Sequence, residues 1–91
     1  MTYNLIYTNS YIKRASKFVK KHPDLISQYK KTLKLLEIEP SHPSLRLHPL
    51  KGKSKDLHSV SINISYRITL EFFIIKQEII LVNVGHHDEV Y

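Results

Sequence analysis

The segment 85–91 brings together several side chains that can move protons. It reads Gly-His-His-Asp-Glu-Val-Tyr and follows an apolar run, 79–84, that is typical of a buried strand. An imidazole titrates near neutral pH, so it can serve as a general acid or base once the backbone holds it in place. This tail therefore offers half of a catalytic site, and a phosphate-binding group elsewhere would complete it.

An arginine on a predicted strand is the candidate for that group. Alternate residues of the segment 66–75 are apolar, which predicts a strand with one face toward the core. Arg67 falls on the other face, and Glu71 lies about 13 Å further along the same strand. A guanidinium can donate two parallel hydrogen bonds to a phosphate. A surface arginine paired with an acidic residue of a neighbouring strand is the alternative interpretation.

A third candidate, His48, alternates with Leu47 and is predicted to point away from the core beside the basic turn 51–56. Such a histidine taken alone is most often a plain surface residue. If its strand lies beside that of Arg67, both residues and the tail converge on one patch. The cations expected to bind phosphate around this patch are Arg46, Lys51, Lys53 and Lys55. This set suits cleavage of RNA without a metal ion, because the ribose 2′-hydroxyl is an internal nucleophile.

Other chemistries have weaker support in the sequence. The chain has no cysteine, which excludes a thiolate nucleophile, a thiolate metal site and a disulfide framework. His86 and His87 are adjacent and would point to opposite faces of an extended strand, so we expect neither a metal site nor a cofactor. The two glycines, Gly52 and Gly85, do not form a glycine-rich phosphate loop.

The charge distribution is strongly asymmetric. Residues 1–55 hold 12 Lys and Arg against 3 Asp and Glu, whereas residues 56–91 hold 2 against 5, and the net charge is +6. A cationic half attracts polyanions such as RNA, DNA or an acidic protein, although lysines on helix faces also serve solubility. We see neither a signal peptide nor an apolar run of membrane-spanning length, and we expect a cytoplasmic protein with no membrane partner.

The hydrophobic periodicity predicts one α+β domain over residues 1–91. A first strand (2–8) precedes two amphipathic helices (11–21 and from 23 to about 39), with Asn9-Ser10 as the cap of the first helix. The period then changes to two, which predicts strands at 45–48, 57–65, 66–75 and 79–84. We therefore expect two N-terminal helices packed on one face of a mostly antiparallel, twisted sheet of four to five strands.

With these elements in order, the chain resembles the RelE/ParE toxin superfamily of bacterial type II toxin–antitoxin systems. The likeness rests on the sequences Leu-His-Pro-Leu-Lys-Gly at 47–52, Tyr-Arg-Ile at 66–68 and the tail at 85–91, and it covers nearly the whole chain. It implies a toxin held inactive in a hetero-oligomer with its cognate antitoxin. For the RelE-like branch it further implies growth arrest through cleavage of mRNA on the ribosome.

The resemblance also assigns roles to individual residues. His48 and His87 match histidines of the YafQ-type branch, and Tyr91 matches its terminal aromatic residue, which would position a base. Arg67 matches an arginine that contacts the scissile phosphate in RelE and YoeB types. Ser61 and Ser65 stand where the YafQ type has a histidine and an aspartate. Part of that branch's acid and base set is therefore missing, and Arg67 would compensate electrostatically.

Three functions are compatible with this pattern. The first is a ribosome-dependent endoribonuclease that needs no metal, with His87, Arg67, His48 and Tyr91 as its catalytic residues. The second is a ParE-like inhibitor of DNA gyrase, although chains of that type generally lack the terminal His-x-x-x-aromatic motif. The third is a degenerate member that binds only its antitoxin or nucleic acid.

Overall fold

The computed structural model describes residues 2–50, 52 and 56–90, and of Glu89 and Val90 it describes only the backbone. Strands and helices follow one another along these residues in the order expected of an α+β domain. Their bounds are β1 Asn4–Tyr7, α1 Asn9–Lys21, α2 Ile26–Ile38, β2 His48–Pro49, β3 Leu57–Ser61, β4 Tyr66–Phe73, β5 Glu78–His86 and α3 His87–Val90. Short 3₁₀ turns, Pro23–Leu25 and Pro43–Leu45, precede α2 and β2.

The five strands form one sheet in the order β1-β5-β4-β3-β2. β1 pairs with β5 in parallel, and the other three pairings are antiparallel. The expected fold class, two helices against a mostly antiparallel sheet, is therefore confirmed. Among the described residues, no helix combines the length and apolar character needed to cross a membrane.

The helices cover one face of this sheet. The cross-strand row Val60, Ile68 and Val84 lies in the hydrophobic core together with residues of both helices. The buried apolar residues of that core are Tyr11, Phe18, Tyr29, Leu36, Leu45, Val60, Ile62, Ile68, Leu70, Ile79, Leu81 and Val84. Because side chains alternate along a strand, the row on either side of this one points away from the helices.

Two tyrosine hydroxyls connect the helices inside the core. Tyr11 of α1 and Tyr29 of α2 share a hydrogen bond of 2.6 Å between their hydroxyl oxygens. Tyr11 is 0% exposed and Tyr29 8% exposed. Burial is the main reason that the pKa of each phenol lies above its usual value near 10.

The cap of the first helix lies one residue earlier than expected. Thr8 is the N-cap, and its hydroxyl oxygen accepts a hydrogen bond of 3.2 Å from the backbone N–H of Tyr11. The same hydroxyl donates to the carbonyl of Leu81 in β5, at 3.2 Å. The cap was expected at Asn9-Ser10, but Asn9 and Ser10 are already helical. Thr8 therefore fixes the start of α1 and attaches it to the sheet.

The strand expected at 45–48 begins later, at His48. Leu45 is the last residue of a 3₁₀ turn, and Arg46 has a left-handed backbone with φ of 51°. A residue in that conformation cannot continue a pleated strand. The strand extends one residue beyond the predicted range, because Pro49 is its second residue and pairs with His58.

The third strand is shorter than expected and ends at Ser61. The side-chain oxygen of Asn63 accepts hydrogen bonds from the N–H groups of Ser65 and Tyr66, at 2.9 and 2.8 Å. Asparagine favours turns because its side chain replaces a backbone partner in this way. The segment 62–65 is therefore a tight connection between β3 and β4.

Candidate functional site

The sheet face that points away from the helices carries the candidate residues Arg67 and His48. Arg67 pairs with Ser61 on one side and with Gly85 on the other. His48 belongs to the neighbouring row of that face, because it pairs with Ser59, which in turn pairs with Thr69. Paired residues of adjacent strands point to the same side of a sheet. Two of the predicted site residues therefore share this face.

Arg67 is partly sunk into the sheet surface. Its Nη1 atom is shielded from solvent, as is the hydroxyl of the adjacent Thr69. Its neighbour on β5, Gly85, has no side chain that could cover it. A cation that is partly withdrawn from water attracts an anion more strongly than a fully solvated one. This position suits an arginine that receives a phosphate.

Backbone hydrogen bonding defines the tautomer of neutral His48. Its Nδ1 lies 2.9 Å from the carbonyl oxygen of Arg46. A carbonyl can only accept, so Nδ1 carries the proton and the lone pair of the neutral ring is on Nε2. Nε2 is therefore the nitrogen of the neutral ring that can accept a proton.

The tail changes from strand to helix between its two histidines. His86 ends β5, and His87 begins α3 with its N–H bonded to the carbonyl of Ser65 at 2.9 Å. The two imidazole centroids lie 4.3 Å apart and the ring planes differ by 31°. The expectation of opposite faces was wrong, because it assumed that the strand continues through His87.

Asp88 contacts both rings. Its carboxylate Oδ1 lies 2.9 Å from Nδ1 of His87. Its backbone N–H donates to Nδ1 of His86 at 3.2 Å, and its Oδ2 lies 3.6 Å from the same nitrogen. A carboxylate at Nδ1 orients the His87 ring and leaves Nε2 for proton exchange. Sequence reasoning did not assign a role to Asp88, although its position directly after the two histidines was visible.

We call His86, His87 and Asp88 the tail cluster. Its side chains are of types that can bind a metal ion, with one potential ligand atom from each residue and all three atoms within 4.8 Å of one another. Imidazole and carboxylate together suit Zn²⁺ or Cu²⁺. The prediction of no metal site assumed that the two histidines point to opposite faces, and this assumption does not hold. The tail cluster is equally explained by Asp88 orienting His87.

Four predicted site residues lie outside the residues that the structure describes. They are Lys51, Lys53, Lys55 and Tyr91. Arg46, the remaining predicted phosphate ligand, is exposed between the 3₁₀ turn and β2. Its assignment as a phosphate ligand, like those of the four other residues, stays a prediction.

Solved structures provide the comparison for this arrangement. A metal-bound toxin from Helicobacter pylori is 24% identical, with a TM-score of 0.78 over 98% of this chain and 99% of that chain. The Escherichia coli DinJ-YafQ toxin-antitoxin complex contains a chain that is 17% identical, with a TM-score of 0.80 over 100% and 99%. A YoeB/ParE toxin from Agrobacterium tumefaciens is 15% identical, with a TM-score of 0.74 over 92% and 98%.

No protein-family model and no curated protein matches this sequence. The structural similarity nevertheless extends over nearly the full length of each chain compared. The chain therefore shares the fold of these toxins, as the sequence resemblance to the RelE/ParE toxin superfamily implied. One of these structures is a toxin-antitoxin complex.

Proposed function

We propose that this protein is the toxin of a type II toxin–antitoxin system and that it cleaves mRNA on the ribosome without a metal ion. The observation that carries the proposal is the position of Arg67 on the open sheet face, between Ser61 and Gly85, with His48 on the same face and the tail cluster directly after Gly85. This arrangement supplies a phosphate-binding cation between two proton-transfer groups.

The strand register gives the spacing between Arg67 and His48. His48 lies two strands from Arg67 and two residues along the strand direction. With strands about 4.8 Å apart and a rise of about 3.3 Å per residue, the Cα atoms of the two residues are roughly 12 Å apart. An in-line phosphoryl transfer needs its acid and base on opposite sides of phosphorus, so His87 would approach from the β5 side, where the tail follows Gly85.

In the proposed reaction, Nε2 of His48 takes the proton of the ribose 2′-hydroxyl as that oxygen attacks phosphorus. Arg67 stabilises the extra negative charge on the crowded phosphate oxygens. His87, oriented by Asp88, gives a proton to the departing 5′-oxygen as its bond to phosphorus breaks. The products are a 2′,3′-cyclic phosphate and a 5′-hydroxyl. Tyr91 would position a base, and the cations at 46, 51, 53 and 55 would hold neighbouring phosphates.

The partner we propose is a cognate antitoxin, in a hetero-oligomer that keeps the toxin inactive. Support comes from the structural likeness to the toxin in the DinJ-YafQ complex. The net charge of +6 suits an acidic partner, which would dock a helix or strand on the basic surface or along the sheet and cover the tail. A short reading frame for such a protein next to this gene would support the assignment.

Expression in growing bacteria tests the proposal. We expect growth arrest with transcripts cut within translated regions, and relief of both by Arg67→Ala or His87→Ala. Lys30→Ala, which removes an exposed cation of α2, is the matched control and should leave toxicity unchanged. Intact transcripts together with an SOS response would replace the proposal with gyrase inhibition, and absence of toxicity would indicate a degenerate member.

A further inference from the structure

A pocket of about 230 Å³ lies between α1 and the last residues of β5, on the helix-bearing face of the sheet. Its basic lining residues are Arg14, Lys17, Lys21, His22 and His86. None of the described residues that line it is acidic. Its volume corresponds to about eight water molecules of the bulk liquid, which is enough for a phosphate and part of the attached sugar. The pocket is therefore built to hold an anion.

The three permanent cations lie along one side of α1. Arg14, Lys17 and Lys21 are spaced i, i+3 and i+7, so they are neighbours on the helix surface. Like charges at such spacings oppose helix stability by a few tenths of a kcal/mol per pair. Nη1 of Arg14 donates to the carbonyl of Val82 at 3.0 Å, which fixes the guanidinium against β5. The remaining N–H groups of this guanidinium give it donors for a second acceptor.

Aromatic rings form the rest of the pocket. The Tyr66 ring lies 4.6 Å from that of His22 and 5.7 Å from that of His86, centroid to centroid. Phe18 packs under Tyr66 at 5.4 Å and is only 5% exposed. Nucleobases stack on half-buried rings of this kind, and every base has a face suited to it. An acidic peptide would use the cations but has no comparable use for the rings.

The pocket and the candidate site adjoin each other through the sheet. Tyr66 pairs with His86, and the next pair along the strands is Arg67 with Gly85. The first pair faces the helices and the second faces the other side. A single strand of nucleic acid that passes over the tail can therefore reach both places within a few nucleotides.

We propose that this pocket binds single-stranded RNA, with a backbone phosphate on Arg14, Lys17 and Lys21 and a base against the rings of Tyr66 and His22. The pocket thereby holds the RNA on the helix-bearing face of the sheet, whereas Arg67 lies on the opposite face. The choice of RNA as the ligand rests on the proposed function. The pocket itself is distinct from the residues assigned to catalysis.

Binding of an uncleavable RNA tests the pocket separately from catalysis. The probe is a short single-stranded 2′-O-methyl RNA, which has no nucleophilic hydroxyl, and the readout is fluorescence anisotropy over a range of salt concentrations. The variant is Lys17→Glu/Lys21→Glu. The matched control is Lys30→Glu/Lys31→Glu, the same change of charge on exposed positions of α2. Circular dichroism establishes that both variants keep the fold.

We expect the pocket variant to bind at least about tenfold more weakly than the wild type and the control less than about threefold more weakly. The slope of log K against log[salt] should become shallower by about 0.7 in the pocket variant, since the two lysines share one phosphate and each lost phosphate contact with a single strand contributes about 0.7. Equal losses in the two variants would mean diffuse attraction to a basic surface, and the pocket proposal would be wrong.

Two further outcomes separate this proposal from others. An acidic peptide that displaces the RNA at equal concentration would overturn the assignment to RNA. If transcripts stay intact in cells while the pocket variant loses RNA binding, the proposed function fails and the pocket stands. If transcripts are cut but both variants bind RNA as the wild type does, the pocket proposal alone fails.

Discussion

The hydrogen bond between Tyr11 and Tyr29 allows a quantitative test of the structure. Replacing either tyrosine by phenylalanine removes one hydroxyl and leaves the other in the core. A buried polar group that loses its partner costs about 1–3 kcal/mol of the free energy of unfolding. Tyr29→Phe leaves the hydroxyl of Tyr11, which is 0% exposed, whereas Tyr11→Phe leaves that of Tyr29, which is 8% exposed. The more enclosed hydroxyl cannot recover a bond to water.

We therefore expect an unequal pair of single variants. Tyr29→Phe should cost about 2–3 kcal/mol and Tyr11→Phe about 1–2 kcal/mol, within the range for orphaned buried groups. The double variant should cost less than the sum of the two, because it leaves no orphaned hydroxyl. For a chain of this length, a loss of 1 kcal/mol lowers Tm by about 4–8 °C.

Urea and thermal unfolding of the wild type, both single variants and the double variant complete a double-mutant cycle. A coupling energy near zero, with the double variant equal to the sum, would refute the reasoning. So would a Tyr29→Phe variant as stable as the wild type. Either result would mean that the two hydroxyls do not depend on each other in the folded protein.

Three further outcomes follow from the described contacts. Burial raises the pKa of Tyr11 and Tyr29. The stability that they contribute should therefore be complete below about pH 10 and decline as the pH rises above it, where unfolded tyrosines ionise. Urea unfolding at pH 8 and at pH 10.5 measures this decline, which should be smaller in the double variant. Thr8→Ala should cost about 1 kcal/mol by removing the helix cap, while Thr8→Ser should restore most of it in the same assay. Zn²⁺ bound by the tail cluster would occupy the His87 imidazole and prevent it from transferring a proton, so micromolar Zn²⁺ should slow RNA cleavage. Mg²⁺, which prefers oxygen ligands, should not slow it. Equal cleavage rates with and without Zn²⁺ would contradict this expectation.

Much of the fold could be predicted from periodicity alone. Period-two alternation correctly placed Ile68 and Leu70 in the core and Arg67 on the opposite face. The helical period in α2 puts Tyr29 and Leu36 on one side of the helix, and both are buried. These predictions succeed because burial of one face determines the pattern, whichever loops connect the elements.

Where prediction failed, a single residue overrode the pattern. The left-handed Arg46 ends the apparent strand at 45–48, and the side chain of Asn63 turns the chain inside an apparently continuous strand. At the tail, helix formation from His87 brings together two rings that alternation would separate. The pocket beside α1 was not predicted, because lysines on a helix face have the same pattern whether they line a pocket or face solvent.

The chemistry of the cut ends tests the central claim most directly. In a purified translation system programmed with a defined mRNA, the wild-type protein should cut the message only when ribosomes are present. The downstream fragments should carry 5′-hydroxyl ends and the upstream fragments a 2′,3′-cyclic phosphate, because the 2′-hydroxyl is the nucleophile. Downstream fragments with 5′-phosphate ends would mean that water is the nucleophile, and an uncut message would mean that the protein is not a ribosome-dependent ribonuclease. Either result would contradict the account.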